Sequence, residues 1–135
     1  MEPMIDACQA VLEREAEFGR NSLDEQAKAI FHLYRFLCDY ENGGLSGFLY
    51  NISSEWDDLA SLGAIAARLN HPELATAISE VESMARSGPD DFQGTWGGWL
   101  EASDPEKRLA EIDDTISEHY QDLWEDLERL AASPS

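Results

Sequence analysis

Basic residues are scarce in this chain, since nine lysines and arginines stand against 28 aspartates and glutamates. The formal net charge is −19 and the isoelectric point lies near 4.2. A surface of this sign repels nucleic acid and anionic membranes, and it attracts basic partners. The charge balance therefore argues against direct binding to nucleic acid or membranes and favours a basic protein as the partner.

Long apolar runs and cysteines are also few. No stretch approaches the roughly 18 apolar residues of a membrane span. The start, Met1-Glu2-Pro3, has no basic region followed by an apolar run, so we expect no signal peptide. The two cysteines, Cys8 and Cys38, fall on apolar helix faces and are expected to be buried reduced thiols, because a disulfide between them has no support in the sequence. These features predict a cytoplasmic protein.

No segment alternates apolar and polar residues with a period of two, so we expect little or no β-sheet. The 135 residues, 43% of them hydrophobic, are enough for one buried core. We therefore predict a single compact all-α domain over residues 1–135, with about six to eight helices.

Signatures of catalysis and of metal binding are missing as well. The chain has no Gly-x-Ser-x-Gly elbow, no phosphate-binding glycine loop and no calcium-binding loop motif. The three histidines, His32, His71 and His119, lie in different segments without the spacing of a metal site. We predict that the protein is not an enzyme and that it uses neither a metal nor a cofactor.

A glycine-rich corner separates two apolar periodic segments. Asn42 and Gly43 can adopt positive φ at low cost and are predicted to end a helix there, while Gly44 allows close backbone approach. Asn51 is expected to hydrogen-bond the backbone of this corner.

Helices are predicted on both sides of the corner. One begins at Pro3 and ends at Gly19, and a second, capped by Ser22, runs from Leu23 to about Asp39. Further helices are predicted over residues 46–51, from Ser53 or Ser54 to Leu69, from Pro72 to about Arg86, and from Pro105 to about Ala132.

The last predicted helix has two unlike sides. At about 100° per residue its acids gather on one face. This acidic row consists of Glu111, Asp114, Glu118, Asp122 and Glu125. Asp113 falls on the apolar side, which means either that the helix bends there or that Asp113 is buried against a donor.

A row of this kind is spaced like nucleic-acid phosphates. Acids three or four residues apart on a helix lie about 5–6 Å apart, and the row spans about 21 Å of helix axis. DNA carries one phosphate per roughly 3.4 Å of axis on each strand. Two further clusters, Asp57-Asp58 and Asp90-Asp91, are expected to flank the row. A solvated helix face is the simpler alternative, but solubility requires a net charge of only about 2–8.

The residues around the corner resemble a known family, the bacterial DNA-mimic proteins. The resemblance covers about residues 38–120 and rests on Glu41-Asn42-Gly43-Gly44, Phe48, Asn51, the helix Leu59-Ala60-Ser61-Leu62-Gly63-Ala64, and Ile112-Asp113-Asp114. It implies an all-helical fold, a homodimer and, in at least one member, acidic side chains that act as a decoy for DNA. Most members have no known activity, so the resemblance informs the fold more than the function.

Three functions are compatible with the sequence. The leading hypothesis is a DNA mimic that binds a basic nucleic-acid-binding protein, such as a transcription factor or nucleoid-type protein, and competes with DNA. One alternative is an immunity-type module that neutralises a basic partner and uses the Trp96–Trp99 loop as an apolar anchor. The other is a small ligand-binding or enzymatic domain whose pocket is lined by Asn42, Asn51 and Asp113.

Overall fold

The computed structural model describes residues 2–52, 56–86 and 108–132, and all three segments are almost entirely helical. The elements are α1 (Glu2–Phe18), a 3₁₀ turn (Arg20–Ser22), α2 (Glu25–Ile52), α3 (Trp56–Arg68), α4 (Pro72–Arg86) and α5 (Arg108–Ala132). No strand occurs in these segments, which confirms the all-α prediction, although they contain five α-helices rather than six to eight. The predicted caps at residues 53–54, the pair Asp90-Asp91, the Trp96–Trp99 loop and the predicted helix start at Pro105 lie outside the described residues.

The beginning of α2 differs from the prediction. The hydroxyl of Ser22 donates to the Gly19 carbonyl at 2.7 Å, because Ser22 belongs to the 3₁₀ turn that follows α1. Asp24 is the actual cap, since its Oδ1 accepts a hydrogen bond of 2.8 Å from the backbone N–H of Ala27. The capping box predicted at Ser22 is therefore wrong, and the cap lies two residues later.

The glycine corner lies inside α2 and bends it. Only Gly44 leaves helical geometry, with φ 65° and ψ −164°, so the prediction of positive φ at Asn42 and Gly43 is wrong. A single residue in this conformation is enough to redirect the chain. Because Asn42 and Gly43 keep helical geometry, the first limb of α2 continues through Gly43. The second limb of α2 directs Phe48 inward, where it packs edge-on against Phe36 with ring centroids 4.9 Å apart.

Helices α3 and α4 form a hairpin around a tight left-handed turn. Asn70 has φ 66° and its N–H bonds the Ala67 carbonyl at 3.2 Å, while the N–H of His71 bonds the Ala66 carbonyl at 2.9 Å. This is the Schellman arrangement, which satisfies the last carbonyls of α3. The predicted helix boundary at Asn70-His71-Pro72 is confirmed.

Helix α5 closes the bundle by packing on α2 and α4, and α1 packs on α2 and α5. The inner face of α5 is fully buried and contributes Ile112, Ile116, Leu123 and Leu127 to the core. The helix is continuous through Asp113, whose Oδ1 accepts a hydrogen bond of 2.7 Å from Tyr40 Oη. Of the two alternatives for Asp113, the structure shows the one with a donor.

Both cysteines are free, with Cys8 fully buried and Cys38 half-buried. Burial raises the pKa of the Cys8 thiol to about 11, so this thiol is poorly reactive near neutral pH. In the described parts of the chain, no helix has both the length and the apolarity that crossing a bilayer would require.

Candidate protein-binding surface

The acidic row lies on the solvent side of α5. All five of its members, Glu111, Asp114, Glu118, Asp122 and Glu125, are exposed. The opposite face of the same helix is buried in the core, so the row is held on a fixed support. The structure thus brings together the five α5 carboxylates that the helical periodicity predicted.

The row is short of compensating charge. Residues 109–128 contain eight acids and no lysine or arginine. Within the described residues, no ion pair includes Asp114, Glu118, Asp122 or Glu125. These four carboxylates face solvent without a partner cation in the part of the chain that the structure describes.

Several arginines instead pair with carboxylates outside the row. Arg86 binds Asp57 and Glu82 at 2.8 and 2.7 Å. Arg129 pairs with Asp126, which is buried behind the row. These two arginines thus place positive charge beside carboxylates that lie outside the row.

Asp58 does not flank the row, and this corrects the expectation from the sequence. Its side chain is only 9% exposed and is bracketed by two arginines, with Arg20 Nη1 at 2.6 Å from Oδ1 and Arg35 Nη1 at 2.9 Å from Oδ2. It joins the 3₁₀ turn and α2 to the start of α3, so it is unavailable to an outside partner. Its neighbour Asp57 is exposed, as expected, although it pairs with Arg86.

The corner residues are not enclosed. Asn42, Gly43 and Asn51 are exposed, and Gly44 is half-buried. The backbone carbonyl of Asn51 accepts a 3.4 Å hydrogen bond from Arg35, whereas its side chain bonds Asp39 rather than the corner backbone. The exposure of the two asparagines argues against a closed polar pocket at this site.

Half-buried aromatic side chains line the seam between α2 and α5. Tyr40, Tyr120, Trp124 and Tyr34 follow one another with centroid separations of 5.8, 6.3 and 6.5 Å. Aromatic contacts of this length add to the stability that burial provides. The seam therefore fixes the rotation of α5 and, with it, the direction of the row.

The sequence reasoning missed a histidine–carboxylate cluster next to the row. His71 Nε2 lies 2.7 Å from Asp126 Oδ2, and the rings of His71 and His119 are 5.2 Å apart. Their separation of 48 residues along the chain gave no signal, and only the packing of α4 on α5 joins them. In the described segments, no group of three potential ligands is arranged to hold a metal ion.

Comparison with known proteins places these features in a family. The sequence profile of the DMP19-like proteins, named after DNA mimic protein 19, matches residues 21–133. The chain belongs to the DMP19-like protein family. The match covers the Gly44 corner and α2 to α5, a longer stretch than the residues 38–120 on which the resemblance was based. Searches of curated proteins and of solved structures each found no match.

Proposed function

We propose that this DMP19-like protein is a DNA mimic that binds a basic nucleic-acid-binding protein and competes with DNA for it. The class of partner is a transcription factor or a nucleoid-type protein. The observation that carries the proposal is the acidic row on one face of an anchored helix, in which Asp114, Glu118, Asp122 and Glu125 are exposed and form no ion pair with the described residues.

The geometry of the row supports competition for a DNA-binding cleft. Five carboxylates over about 21 Å of helix present a linear series of negative charges. Neighbours about 5–6 Å apart are comparable with phosphates along a strand. Because the inner face of α5 is packed in the core, the row loses little conformational freedom when a partner binds.

Charge supports the same proposal. A formal charge of −19 makes like charges repel and so destabilises the folded chain, which ordinary solubility does not require. Attraction to a cationic cleft would accelerate association and would weaken as salt screens exposed charges beyond about 8–10 Å.

We further propose that the protein acts as a cytoplasmic homodimer and by binding alone, without catalysis. The family resemblance supports the dimer, and two free cysteines suit a reducing compartment. Asp57 is an exposed flanking contributor in this proposal, and Asp90 and Asp91 retain the same proposed role.

Two matched variants test the role of the row. D114N/E118Q/D122N/E125Q removes four exposed charges from α5, and D6N/E13Q/E17Q/E73Q removes four exposed charges from α1 and α4. Wild type and control should capture the same nucleic-acid-binding protein from native extract at low salt and release it in a salt step. The row variant should not capture it.

Competition decides between mimicry and other binding. Added wild-type protein should dissociate the captured protein from labelled DNA in a gel-shift assay, and the row variant should leave the complex intact. A DNA complex that survives wild-type protein would contradict mimicry. If binding were lost instead on replacing Trp96 and Trp99, with the row variant still active, an immunity-type module would be the correct function.

A further inference from the structure

Two histidines connect the α3–α4 turn to the helix that carries the acidic row. His71 Nε2 lies 2.7 Å from Asp126 Oδ2, in a pair whose side chains are 13% and 6% exposed. The rings of His71 and His119 stand nearly perpendicular, at 82°, with centroids 5.2 Å apart. The His71–Asp126 pair therefore lies directly behind the exposed surface of α5.

The backbone of His71 is held by hydrogen bonds to the helices on both sides of it. The N–H of His71 bonds the Ala66 carbonyl at the end of α3, and its carbonyl accepts from the N–H of Ala75 in α4, each at 2.9 Å. Asn70, immediately before it, has the left-handed φ of 66° that the turn requires. Moving the backbone of His71 away from α5 would disturb the ends of α3 and α4.

The hydrogen bonds identify the ring nitrogens that remain free to take up protons. Carboxylate and carbonyl oxygens only accept, so His71 Nε2 donates to Asp126 and His119 Nδ1 donates to the carbonyl of Thr115 at 2.9 Å. A proton would therefore add to His71 Nδ1 or His119 Nε2. Each ring can gain a charge without giving up the hydrogen bond that holds it.

The charges around His71 come from α5. They are the carboxylates of Asp122 and Asp126, the guanidinium of Arg129, and the ring of His119. Burial and then His119 lower the pKa of His71, and Asp122 acts in the opposite direction. His119 lowers the pKa of His71 because a positive charge on its ring would repel a positive charge on the His71 ring.

The position of His119 connects this pair to the row. His119 follows Glu118 and precedes Asp122 by three residues, so it lies within one helical turn of two row carboxylates. We propose that the His71–His119 pair is an acid-sensitive switch, in which protonation places positive charge at the centre of the acidic row and weakens its hold on a cationic partner. This inference rests on the proposed function and concerns the regulation of the same surface.

Binding to a labelled nona-arginine peptide tests the switch, because arginine keeps its charge throughout the experiment. Exposed charge pairs contribute little each, so affinity should fall roughly threefold to tenfold between about pH 7.5 and about pH 5.5. H119Q should reduce this dependence and H71Q/H119Q should abolish it. An equal fall in affinity for the double variant would overturn the proposal.

A second measurement is independent of any partner. In an NMR titration of the imidazole protons, replacing His119 by glutamine should raise the pKa of His71, because one lowering influence is removed. Titration of His71 that is unchanged by H119Q would refute the switch even if the peptide binds. Failure of the peptide to bind wild type near neutral pH, with the pKa of His71 still raised by H119Q, would instead refute the proposed function of the row.

Discussion

Tyr40 and Asp113 form a polar contact that joins the first limb of α2 to the acidic helix, with 2.7 Å between the phenol oxygen and Oδ1. The phenol also lies 3.1 Å from Ser117 Oγ. Burial is the main cause that raises the pKa of Tyr40, so the phenol remains a donor across the physiological range. This contact lies four residues before the Gly44 bend, and so it helps to set the orientation of α5 relative to the corner.

Removing that donor should weaken the fold. Y40F keeps the ring and deletes the hydrogen bond to a half-buried carboxylate, so we expect the free energy of unfolding to fall by about 1–2 kcal/mol in urea denaturation. D113A is the partner substitution for a double-mutant cycle, because alanine removes the acceptor oxygen. Additive effects of Y40F and D113A would contradict a direct interaction between the two side chains.

Adjacent aspartates should differ sharply in their importance for stability. D58N removes the charge that two arginines share in a buried site, and we expect a loss of roughly 2–4 kcal/mol. D57N alters an exposed surface ion pair and should change stability by about 1 kcal/mol or less. Thermal unfolding followed by circular dichroism compares the two variants. Equal losses of stability would show that the Arg20–Asp58–Arg35 contacts stabilise the fold no more than the exposed pair does.

Neighbouring glycines in the corner should respond in opposite directions. Gly44 has φ 65° and ψ −164°, a region essentially reserved for glycine, so G44A should cost roughly 1–3 kcal/mol. At Gly43 an added Cβ meets nothing within 4 Å and φ is not positive, so G43A should stabilise by roughly 0.5–1 kcal/mol. Urea denaturation measures both, and a stabilising G44A would be incompatible with this bend.

Stability should fall in acid because of His32. Burial, the main cause, lowers the pKa of His32 to about 4, although Asp58 acts against this and nearby bases reinforce it. An unfolded histidine takes up a proton near its ordinary pKa of about 6.5, so the unfolded state binds more protons between about pH 6.5 and 4. Stability is therefore lost as pH falls through that window, by at most about 3 kcal/mol.

The variant H32Q isolates this contribution. The difference in unfolding free energy between wild type and H32Q should shrink or reverse from about pH 7.5 to about pH 4.5, because the variant cannot take up the proton. Groups such as His71 titrate in both proteins and largely cancel in the difference. A difference that stays constant with pH would contradict a neutral buried His32.

Helix types and faces were predictable where periodicity is strong. The exposed acidic row of α5 followed from its 3.6-residue period, and the opposite side of the helix is buried. Local turn chemistry was predicted less well. The cap of α2 was predicted at Ser22 but is Asp24, and the positive φ was predicted at Asn42 and Gly43 but occurs at Gly44.

Whether an individual carboxylate is exposed or is buried in an ion pair could not be predicted from its spacing in the sequence. Asp57 and Asp58 are adjacent and chemically alike, yet one is exposed and the other is buried between arginines 38 and 23 residues away. Asp126 was absent from the predicted site, and it is buried against His71. Which charge is paired depends on the helices that meet, and this is a long-range property.

The sequence alone determined an acidic, all-helical chain with a bend at the glycines and a row of carboxylates on its last helix. Composition and periodicity are local properties, so they are readable without coordinates. Only the tertiary structure decided that Gly44 bends the chain, that Asp58 is buried, and that His71 meets Asp126 and His119. Each of these results depends on how α2, α3, α4 and α5 pack, because packing brings distant residues within hydrogen-bonding distance and selects among conformations of similar local energy.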